Sequence, residues 1–312
     1  MTRDGEDPIL ILTQPFDPTA DCVVEELNRR GAPVFRCDPG EFPTRLTLAA
    51  RLGEDWTGSL RLPDRTLCLD RVGCVYYRRP SMFELPDDLA EARWALAEAR
   101  MGLGGVLSAL PRWLNHPADI ARAEYKPVQL AQARAAGLLV PETLITNDPD
   151  KARRFVAGRD AVYKPLTATW ISGSRILYTP PVTEAECDES IRHTAHLFQE
   201  RIAKDYEIRA TYVDGIIHAA RLDTASEKAC SDWRADYAGV RYSIARLPDP
   251  VAEAVDRLMR ALRLRFGALD LIVAPDNEHW FLEVNPNGQW GWIEDATGLP
   301  IAASIADALQ RE

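Results

Sequence analysis

The segment from Gly267 to Gly288 restricts the fold more than any other part of the sequence, because its apolar and polar residues alternate as in β-strands. Successive side chains of a strand point to opposite faces of its sheet. Glu283 and Asn285 therefore share one face, while Leu282 and Val284 point the other way, into a core. The pattern predicts a strand that presents two oxygen-bearing side chains above a buried apolar surface.

A second strand with the same pattern precedes it and carries Asp270. The residues expected on the face opposite Asp270 are apolar, namely Leu269, Leu271 and Val273. A turn at residues 275–277 makes the two strands a hairpin and brings Asp270 beside Glu283 and Asn285. Three oxygen donors without His or Cys suit Mg²⁺ better than Zn²⁺. The alternative is a solvated strand face, which fits less well with the apolar opposite face and the following Pro286-Asn-Gly288.

The charge balance limits the kinds of partner. The chain has 312 residues, with 37 Lys and Arg against 47 Asp and Glu, and a net charge of -10. This acidic total disfavours nucleic acids and anionic membranes as partners. No stretch reaches the roughly 20 apolar residues that span a bilayer, and the polar, acidic amino terminus lacks the pattern of a secretion signal. We therefore expect a cytoplasmic protein with no nucleic-acid or membrane partner.

Strand-like and helix-like segments follow one another along the chain, which predicts an α/β (α+β) fold. At about 100–200 residues per domain, two or three lobes with a cleft between them are expected. We predict an α/β domain at residues 1–116, a central subdomain at 117–193 and a carboxyl-terminal subdomain at 194–312. The first boundary lies at Asn115-His-Pro117, where an apolar run meets a helix start. Residues 165–175, rich in small and hydroxyl side chains, are predicted to form a mobile lid.

Two lysines are candidates for binding phosphate. Lys164 ends an apolar strand and precedes Pro165, so its ammonium is expected to project from the strand end beside the predicted lid. Lys126 begins a predicted helix. Taken alone, each is more typical of a lysine that reaches solvent, and the phosphate role depends on the residues around it.

Residues 197–209 run from one predicted strand into the next through a polar connection, which is a suitable place for a purine. We expect backbone groups of residues 200–202 to bind an adenine edge and Glu207 to hold ribose hydroxyls. Arg209 and Arg221 lie on neighbouring predicted strands, where inward-facing cations would neutralise charge on a transferring phosphate. The alternative for each arginine is a surface ion pair.

In this order, these elements resemble the ATP-grasp ligases from about Asn115 to the carboxyl terminus. The matching elements are Lys126, Tyr163-Lys-Pro165, Phe198-Gln-Glu200, Glu207-Ile-Arg209, Arg221, Asp270 and Phe281-Leu-Glu-Val-Asn-Pro286. Further segments give a closer resemblance, over essentially the whole chain, to the graspetide synthetases, which are ATP-grasp enzymes that mature ribosomal peptides. These segments are Thr13-Gln-Pro-Phe-Asp-Pro-Thr-Ala-Asp21, Tyr77-Arg-Arg-Pro80, Glu124-Tyr-Lys-Pro127, Asp232-Trp-Arg234 and the stretch from Glu283 to Gly298.

The resemblance implies an ATP-grasp fold with an amino-terminal pre-ATP-grasp domain and an ATP site between two lobes. The implied cofactors are ATP and Mg²⁺, the implied partner is a ribosomally made precursor peptide with leader and core, and the implied assembly is a homodimer. In the implied reaction a side-chain carboxylate of the peptide is phosphorylated, and a hydroxyl or lysine amine of the same peptide then closes an ester or amide. The alternatives are an intermolecular ligase that adds an amino acid to a peptide or small acid, and a nucleotide-binding scaffold without catalysis.

The resemblance also assigns roles to residues by matching position. Phosphate contacts fall to Lys126 and Lys164, Mg²⁺ ligation to Asp270, Glu283 and Asn285, and adenosine contacts to Gln199, Glu200, Arg201, Ile202 and Glu207. Arg221, together with Arg209, is expected to steady the acyl phosphate. Asp223, two residues beyond Arg221 on the same strand face, is the candidate base for the incoming hydroxyl.

Overall fold

The architecture is mixed α/β, as predicted. The computed structural model describes residues 7–85, 90–167, 170–172, 175–176, 179–224 and 239–311. The strands over these residues are β1 (Ile9–Leu12), β2 (Val34–Cys37), β3 (Thr47–Leu52), β4 (Trp56–Arg61), β5 (Thr66–Cys68), β6 (Cys74–Tyr77), β7 (Trp113–Leu114), β8 (Thr143–Thr146), β9 (Ala161–Lys164), β10 (Trp170–Ser172), β11 (Arg175–Ile176), β12 (His196–Glu200), β13 (Tyr206–Val213), β14 (Ile216–Thr224), β15 (Val240–Ala245), β16 (Phe266–Val273) and β17 (His279–Asn285). The α-helices are α1 (Pro18–Arg29), α2 (Ala92–Ser108), α3 (Pro117–Ala123), α4 (Lys126–Ala135), α5 (Pro149–Val156), α6 (Asp249–Ala261), α7 (Gly291–Thr297) and α8 (Ile301–Gln310).

The amino-terminal lobe is built on a parallel sheet of order β2-β1-β6-β7. Strand β1 is apolar throughout because both of its faces are buried. Ile9 and Ile11 pack in a core shared with α1 and α8, whereas Leu10 and Leu12 pack in a second core. That second core is closed by α2 and by the antiparallel sheet β3-β4-β5.

The central lobe contains the antiparallel sheet β8-β12-β9, with α5 packed on one side. Strand β12 lies in the middle, so that the residue after its end, Arg201, follows directly from a buried strand. Strands β10 and β11 form an antiparallel pair within the segment that we predicted to be a lid. Residues 168–169 and 173–174 of that segment lie outside the described residues, and so does the lid prediction.

The carboxyl-terminal lobe is an antiparallel sheet of order β15-β14-β13-β16-β17. One face packs against α4 and α6 in an apolar core. The other face packs at one end against α7, α8 and the amino-terminal lobe, and at its opposite end it carries polar side chains. The predicted hairpin of β16 and β17 is confirmed, with Leu269, Leu271 and Val273 fully buried.

Asn115 connects the amino-terminal lobe to the large sheet. Its amide nitrogen donates hydrogen bonds to the carbonyls of Phe266 (2.8 Å) and Pro286 (3.1 Å). Its amide oxygen accepts from the N–H groups of Arg265 (2.8 Å) and Phe266 (3.0 Å). The side chain therefore fixes both ends of the hairpin segment relative to β7. Among the helices of the described residues, none has the length and apolarity needed to span a membrane.

Candidate active site

A cleft of about 1320 Å³ lies between the central sheet and the polar end of the large sheet. Ten of the thirteen residues that the sequence predicts for the site line this cleft, and they are Lys126, Lys164, Gln199, Glu200, Arg201, Ile202, Glu207, Asp270, Glu283 and Asn285. The cleft therefore collects residues from four separated segments of the chain. The remaining three predicted residues, Arg209, Arg221 and Asp223, are located differently and are described below.

The three predicted metal ligands lie on adjacent strands at one end of the cleft. Asp270 is directly opposite Glu283 in the ladder of β16 and β17, and Asn285 is opposite Ala268. Residues opposite each other in an antiparallel pair share a face, so the three oxygen-bearing side chains share one. The set offers two carboxylates and an amide oxygen, which is the chemistry that Mg²⁺ takes from proteins when phosphates and waters complete its shell.

A β-bulge corrects one detail of the predicted pattern. The ladder pairs Asp270 with Glu283 but Leu271 with Phe281, so Leu282 is the extra residue. Instead of pointing into the core, Leu282 lines the cleft. Phe281, which carries the ladder forward, is fully buried in its place.

Lys126 reaches the cluster of Asp270, Glu283 and Asn285 from the first turn of α4. Its ammonium forms a salt bridge with the Glu283 carboxylate, and both side chains are largely buried. The buried Gln129, one turn further along α4, donates to the carbonyl of Val284 (2.8 Å) and accepts from the N–H of the same residue (3.0 Å). These bonds fix α4 to β17 and keep Lys126 beside Glu283.

Arg209 acts on the cluster through Asp270. Its Nη1 donates to Asp270 Oδ1 at 2.8 Å, and its Nη2 donates to the carbonyl of Gln289 at 3.0 Å. Gly288 permits this packing, because a Cβ there would overlap Ala268 Cβ and approach Arg209 Nη2 to 3.0 Å. Arg209 is therefore placed to hold the Asp270 carboxylate in position.

The far end of the cleft is formed by the residues that follow β12. The backbone N–H groups of Glu200 and Arg201 donate to the carbonyls of Glu142 and Asp160, both at 2.9 Å. The N–H of Ile202 has no hydrogen-bond partner among the described residues and is available to a ligand. The side chain of Gln199 is buried and donates to Thr143 Oγ1, and that of Arg201 pairs with Asp160.

Glu207 and Lys164 stand on opposite sides of the cleft. Glu207 is buried at the start of β13 and forms a salt bridge with Lys204, which also lines the cleft. Lys164 ends β9 opposite Leu197 of β12. Lys204 lies in the segment 197–209 that the sequence predicts to bind the purine, but no role was predicted for it. Its spacing of three residues before Glu207 is the signal that marks it.

Arg221 and Asp223 lie on the other face of the large sheet, so the structure does not bring them to the cleft with the other predicted residues. Arg221 is opposite Ile208 in the ladder of β13 and β14, whereas Arg209 is opposite Asp270. Because neighbouring residues of β13 face opposite ways, Arg221 and Arg209 are on opposite sides. Neither Arg221 nor Asp223 is among the described residues that line the cleft. The two bind each other instead, with three hydrogen bonds of 2.6–2.9 Å.

Comparisons with known proteins agree with this architecture. Residues 8–121 match the family model of the MvdD pre-ATP grasp domain. No curated protein sequence matches the chain. Among solved structures, the Microcystis aeruginosa macrocyclase MdnB is 33% identical, with 97% of this chain and 99% of that chain covered and a TM-score of 0.81.

Two further structures are similar along nearly their whole length. The Microcystis aeruginosa macrocyclase MdnC, bound with the precursor peptide MdnA, is 30% identical, with 97% and 99% of the chains covered and a TM-score of 0.85. A RiPP-associated ATP-grasp ligase of Chryseobacterium gregarium, in complex with ADP and a leader and core peptide, is 29% identical, with 97% and 96% covered and a TM-score of 0.88. Two sheets closing on a cleft, preceded by an α/β domain, define an ATP-grasp ligase. The chain belongs to the family of ATP-grasp ligases that modify ribosomally made peptides, the graspetide synthetases.

Proposed function

We propose that the protein is an ATP-dependent macrocyclase of a ribosomal precursor peptide. It phosphorylates the side-chain carboxylate of an Asp or Glu in the peptide and joins the activated carbon to a Ser or Thr hydroxyl, or to a Lys amine, of the same peptide. The observation that carries the proposal is the shared face of β13, β16 and β17. It brings Asp270, Glu283 and Asn285 together with Lys126 at one end of a cleft large enough for a nucleotide.

The other end of the cleft suits adenosine. The available N–H of Ile202 matches an acceptor nitrogen of adenine, and we assign the buried Glu207 carboxylate to the ribose hydroxyls. Lys164 and Lys126 supply positive charge along the path between the two ends. We therefore assign the adenine to the residues after β12 and the phosphates to the two lysines and the oxygen-donor cluster.

Asp270, Glu283 and Asn285 are the residues that would hold Mg²⁺, which neutralises charge on the phosphates when it is bound. Lys126 forms a salt bridge with Glu283. Lys126, beside these residues, would contribute its ammonium to the phosphates. Arg209 holds the Asp270 carboxylate in position through the 2.8 Å hydrogen bond.

The reaction has two steps that balance. A carboxylate oxygen of the peptide attacks the γ-phosphorus of ATP, the bond to the bridging oxygen breaks, and ADP leaves. A hydroxyl oxygen of the same peptide then attacks the acyl carbon, phosphate leaves, and the hydroxyl proton is released. The peptide loses the elements of one water for each link. The residues of the site position the reactants and neutralise charge. The reaction therefore needs no nucleophile from the protein.

The same proposal covers the organisation of the chain. Residues 1–116 form the pre-ATP-grasp domain, and residues 117–193 and 194–312 form the two lobes that enclose the nucleotide. The peptide partner carries a leader and a core. We place the reaction in the cytoplasm, where ATP and newly made peptide are both present, and propose a homodimer, which light scattering after gel filtration tests directly.

Intact-peptide mass spectrometry tests the proposed function. The protein is incubated with Mg²⁺, ATP and the small peptide encoded beside its gene. We expect a loss of one water mass per link that requires ATP, and mild alkaline hydrolysis then separates ester links from amide links. A mass gain equal to an added amino acid would identify the alternative intermolecular ligase. No mass change with any neighbouring peptide would contradict the proposal.

The variant with Glu283→Ala and Asn285→Ala tests the site assignment in the same assay. We expect this variant to lose product formation, while Glu278→Gln, an exposed acid in the turn of the same hairpin, keeps it. Circular dichroism establishes that both are folded. Full ATP-dependent turnover by the folded double variant would contradict the assignment of Glu283 and Asn285 as Mg²⁺ ligands.

A further inference from the structure

The loop that follows β17, residues 286–289, is held by side chains from outside its own strand. Each of its four successive carbonyls accepts a hydrogen bond from a side-chain nitrogen. In chain order the donors are Asn115 (3.1 Å), Arg79 (3.3 Å), Arg78 (3.2 Å) and Arg209 (3.0 Å). The first three follow strands β6 and β7 of the amino-terminal lobe. That lobe therefore fixes most of the loop.

The same loop orients the side chain of Asn285. The backbone N–H of Asn287 donates to Asn285 Oδ1 at 2.9 Å, and the N–H of Gly288 donates to the backbone carbonyl of Asn285 at 3.1 Å. An amide oxygen has two lone pairs, so one remains for a ligand in the cleft that Asn285 lines. The position of the Asn287 N–H thus decides where this oxygen points.

Asn115 acts on that N–H through a single peptide group. The carbonyl of Pro286 and the N–H of Asn287 belong to one planar unit, in which the two bonds point in opposite directions. Asn115 Nδ2 holds the carbonyl, so it also fixes the direction of the N–H. Asn115 is buried and its amide makes three further hydrogen bonds to Arg265 and Phe266. Its own orientation is therefore fixed as well.

Arg78 holds the next part of the loop from the start of α1. Its side chain is fully buried, and besides the Gly288 carbonyl it donates to Gln289 Oε1 at 3.1 Å. Its Nε lies 3.6 Å from Asp17 Oδ2. Asp17 is itself fixed, because it accepts from the Thr13 hydroxyl (2.8 Å) and caps α1. Removing the Arg78 guanidinium would leave the buried Gly288 carbonyl without this donor, which is unfavourable.

We propose that Asn115 and Arg78 are positioning residues of the Mg²⁺ site: through residues 286–289, the amino-terminal lobe sets the direction of the Asn285 amide oxygen. The inference rests on the proposed function, because it takes Asn285 as a Mg²⁺ ligand. Neither Asn115 nor Arg78 is among the described residues that line the cleft. Asp270 is held from within the large sheet by Arg209, whereas Asn285, at the end of its strand, depends on the other lobe.

Mn²⁺ binding in the presence of ADP measures the site without turnover. Electron paramagnetic resonance gives the Kd of Mn²⁺, which accepts the same oxygen ligands as Mg²⁺, for the whole protein. For Arg78→Met we expect this Kd to rise about 10- to 100-fold, as for other residues that orient metal ligands. Arg78→Lys should show a smaller rise, since it keeps the charge but not the planar fork.

Arg30→Met is the matched control. Arg30 is also a largely buried arginine of the amino-terminal lobe, but it joins α1 to α8 by donating to Asp307 (2.6 Å) and to the carbonyl of Ala303 (3.1 Å). We expect it to lose stability in urea denaturation and to keep the Kd of Mn²⁺. Equal rises in Kd for Arg30→Met and Arg78→Met would show a general effect of destabilisation and would overturn the inference.

A double-mutant cycle tests whether the effect passes through Asn285. On the background of Asn285→Ala, we expect Arg78→Met to change the Kd of Mn²⁺ by less than about twofold, because the oxygen that it positions is gone. Additive changes would mean that Arg78 does not act through Asn285 and would overturn the inference. Asn115→Ala is the second entry to the cycle and decides the question if Arg78→Met does not fold.

The outcome is separable from that of the proposed function, since no peptide is present. If the protein dehydrates no peptide, the proposed macrocyclase activity fails, and the Mn²⁺ cycle still decides whether the amino-terminal lobe positions Asn285. An unchanged Kd in folded Arg78→Met and Asn115→Ala, or no binding of Mn²⁺ with ADP by the unchanged protein, would overturn the inference.

Discussion

Two arginine-aspartate pairs lie on neighbouring strands of the large sheet, and they differ in every respect except composition. The Arg209–Asp270 pair joins β13 to β16, and its side chains are 7% and 14% exposed. The Arg221–Asp223 pair lies within β14, and its side chains are 38% and 42% exposed. Asp270 of the first pair lines the cleft, whereas the second pair lies on the opposite face of the sheet. The same two residue types therefore serve a site in one place and a half-exposed surface in the other.

The environment of each pair determines what it contributes. A buried pair is strongly destabilised when one partner is removed, because the remaining charge has no compensation. A half-exposed pair is screened by water and contributes little. The hydrogen bond to Asp223 raises the pKa of Arg221, which only strengthens a charge that an arginine already carries. The difference in burial is thus the better guide to function.

The largest expected effect is that of Arg209→Met. Removing the guanidinium leaves the Asp270 carboxylate buried without a cation, and we expect the free energy of unfolding to fall by about 3–5 kcal/mol. Urea denaturation measures this change. The double variant Arg209→Met with Asp270→Asn should recover part of the stability because it removes both charges. No recovery in the double variant would mean that Arg209 acts mainly by packing.

The next largest effect is expected for Asp270→Asn, and it is an effect on turnover. It keeps the shape of the side chain and removes the charge that the proposed metal requires, so we expect product formation to fall about 100- to 1000-fold. ATP-dependent mass loss of the peptide measures it. Asp223→Asn is the matched control on the opposite face and should keep activity within about threefold of the unchanged protein. Equal losses of product formation in the two variants would contradict the different roles assigned to the two faces of the sheet.

These two faces also define what the sequence could predict. Alternation along a single strand has a period of two, and it correctly predicted that Leu269, Leu271 and Val273 are buried behind Asp270. It also placed Glu283 and Asn285 together. Within one strand, the apolar residues indicate which side faces the core. The face on which each oxygen-bearing side chain lies therefore follows from the pattern.

The register between strands was not predictable in the same way. The side of Arg221 relative to Arg209 depends on which residue of β13 it opposes, and a shift of one residue reverses the answer. The bulge at Leu282 likewise adds one residue to β17, and Phe281 instead of Leu282 is buried.

A third pair, Asp17 with Arg78, lies in the amino-terminal lobe. Its contribution to the free energy of unfolding is expected to depend on pH. Burial raises the pKa of Asp17, but the Arg78 charge, the Thr13 hydroxyl and the Ala20 N–H together hold it below the ordinary value. A carboxyl whose pKa is lower in the folded protein stabilises the fold above its ordinary pKa of about 4. This contribution is lost as the pH falls through the folded-state value.

Asp17→Asn should therefore have a pH-dependent effect. The amide still caps α1 but carries no charge, and we expect a loss of about 1–3 kcal/mol in the free energy of unfolding at pH 7. The difference from the unchanged protein should shrink as the pH is lowered from 5 towards 3, measured by urea denaturation at each pH. Asp64→Asn, an exposed residue, is the control and should show little difference throughout. A loss at Asp17 that is constant with pH would mean that its charge is not what stabilises the lobe.

Arg221→Met is expected to have the smallest effect, and it is the variant that most directly tests the assignment of faces. The guanidinium lies 3.8 Å from the centroid of the Tyr206 ring and binds Asp223, which is a favourable but half-exposed arrangement. We expect less than about 1 kcal/mol of lost stability and normal product formation in the peptide assay. A loss of activity as large as that of Asp270→Asn would contradict the opposite-face assignment, because it would require Arg221 to reach the reacting phosphate. Normal activity would restrict the charge-neutralising groups to the face that carries Asp270, Glu283 and Lys126, where the cleft already brings them together.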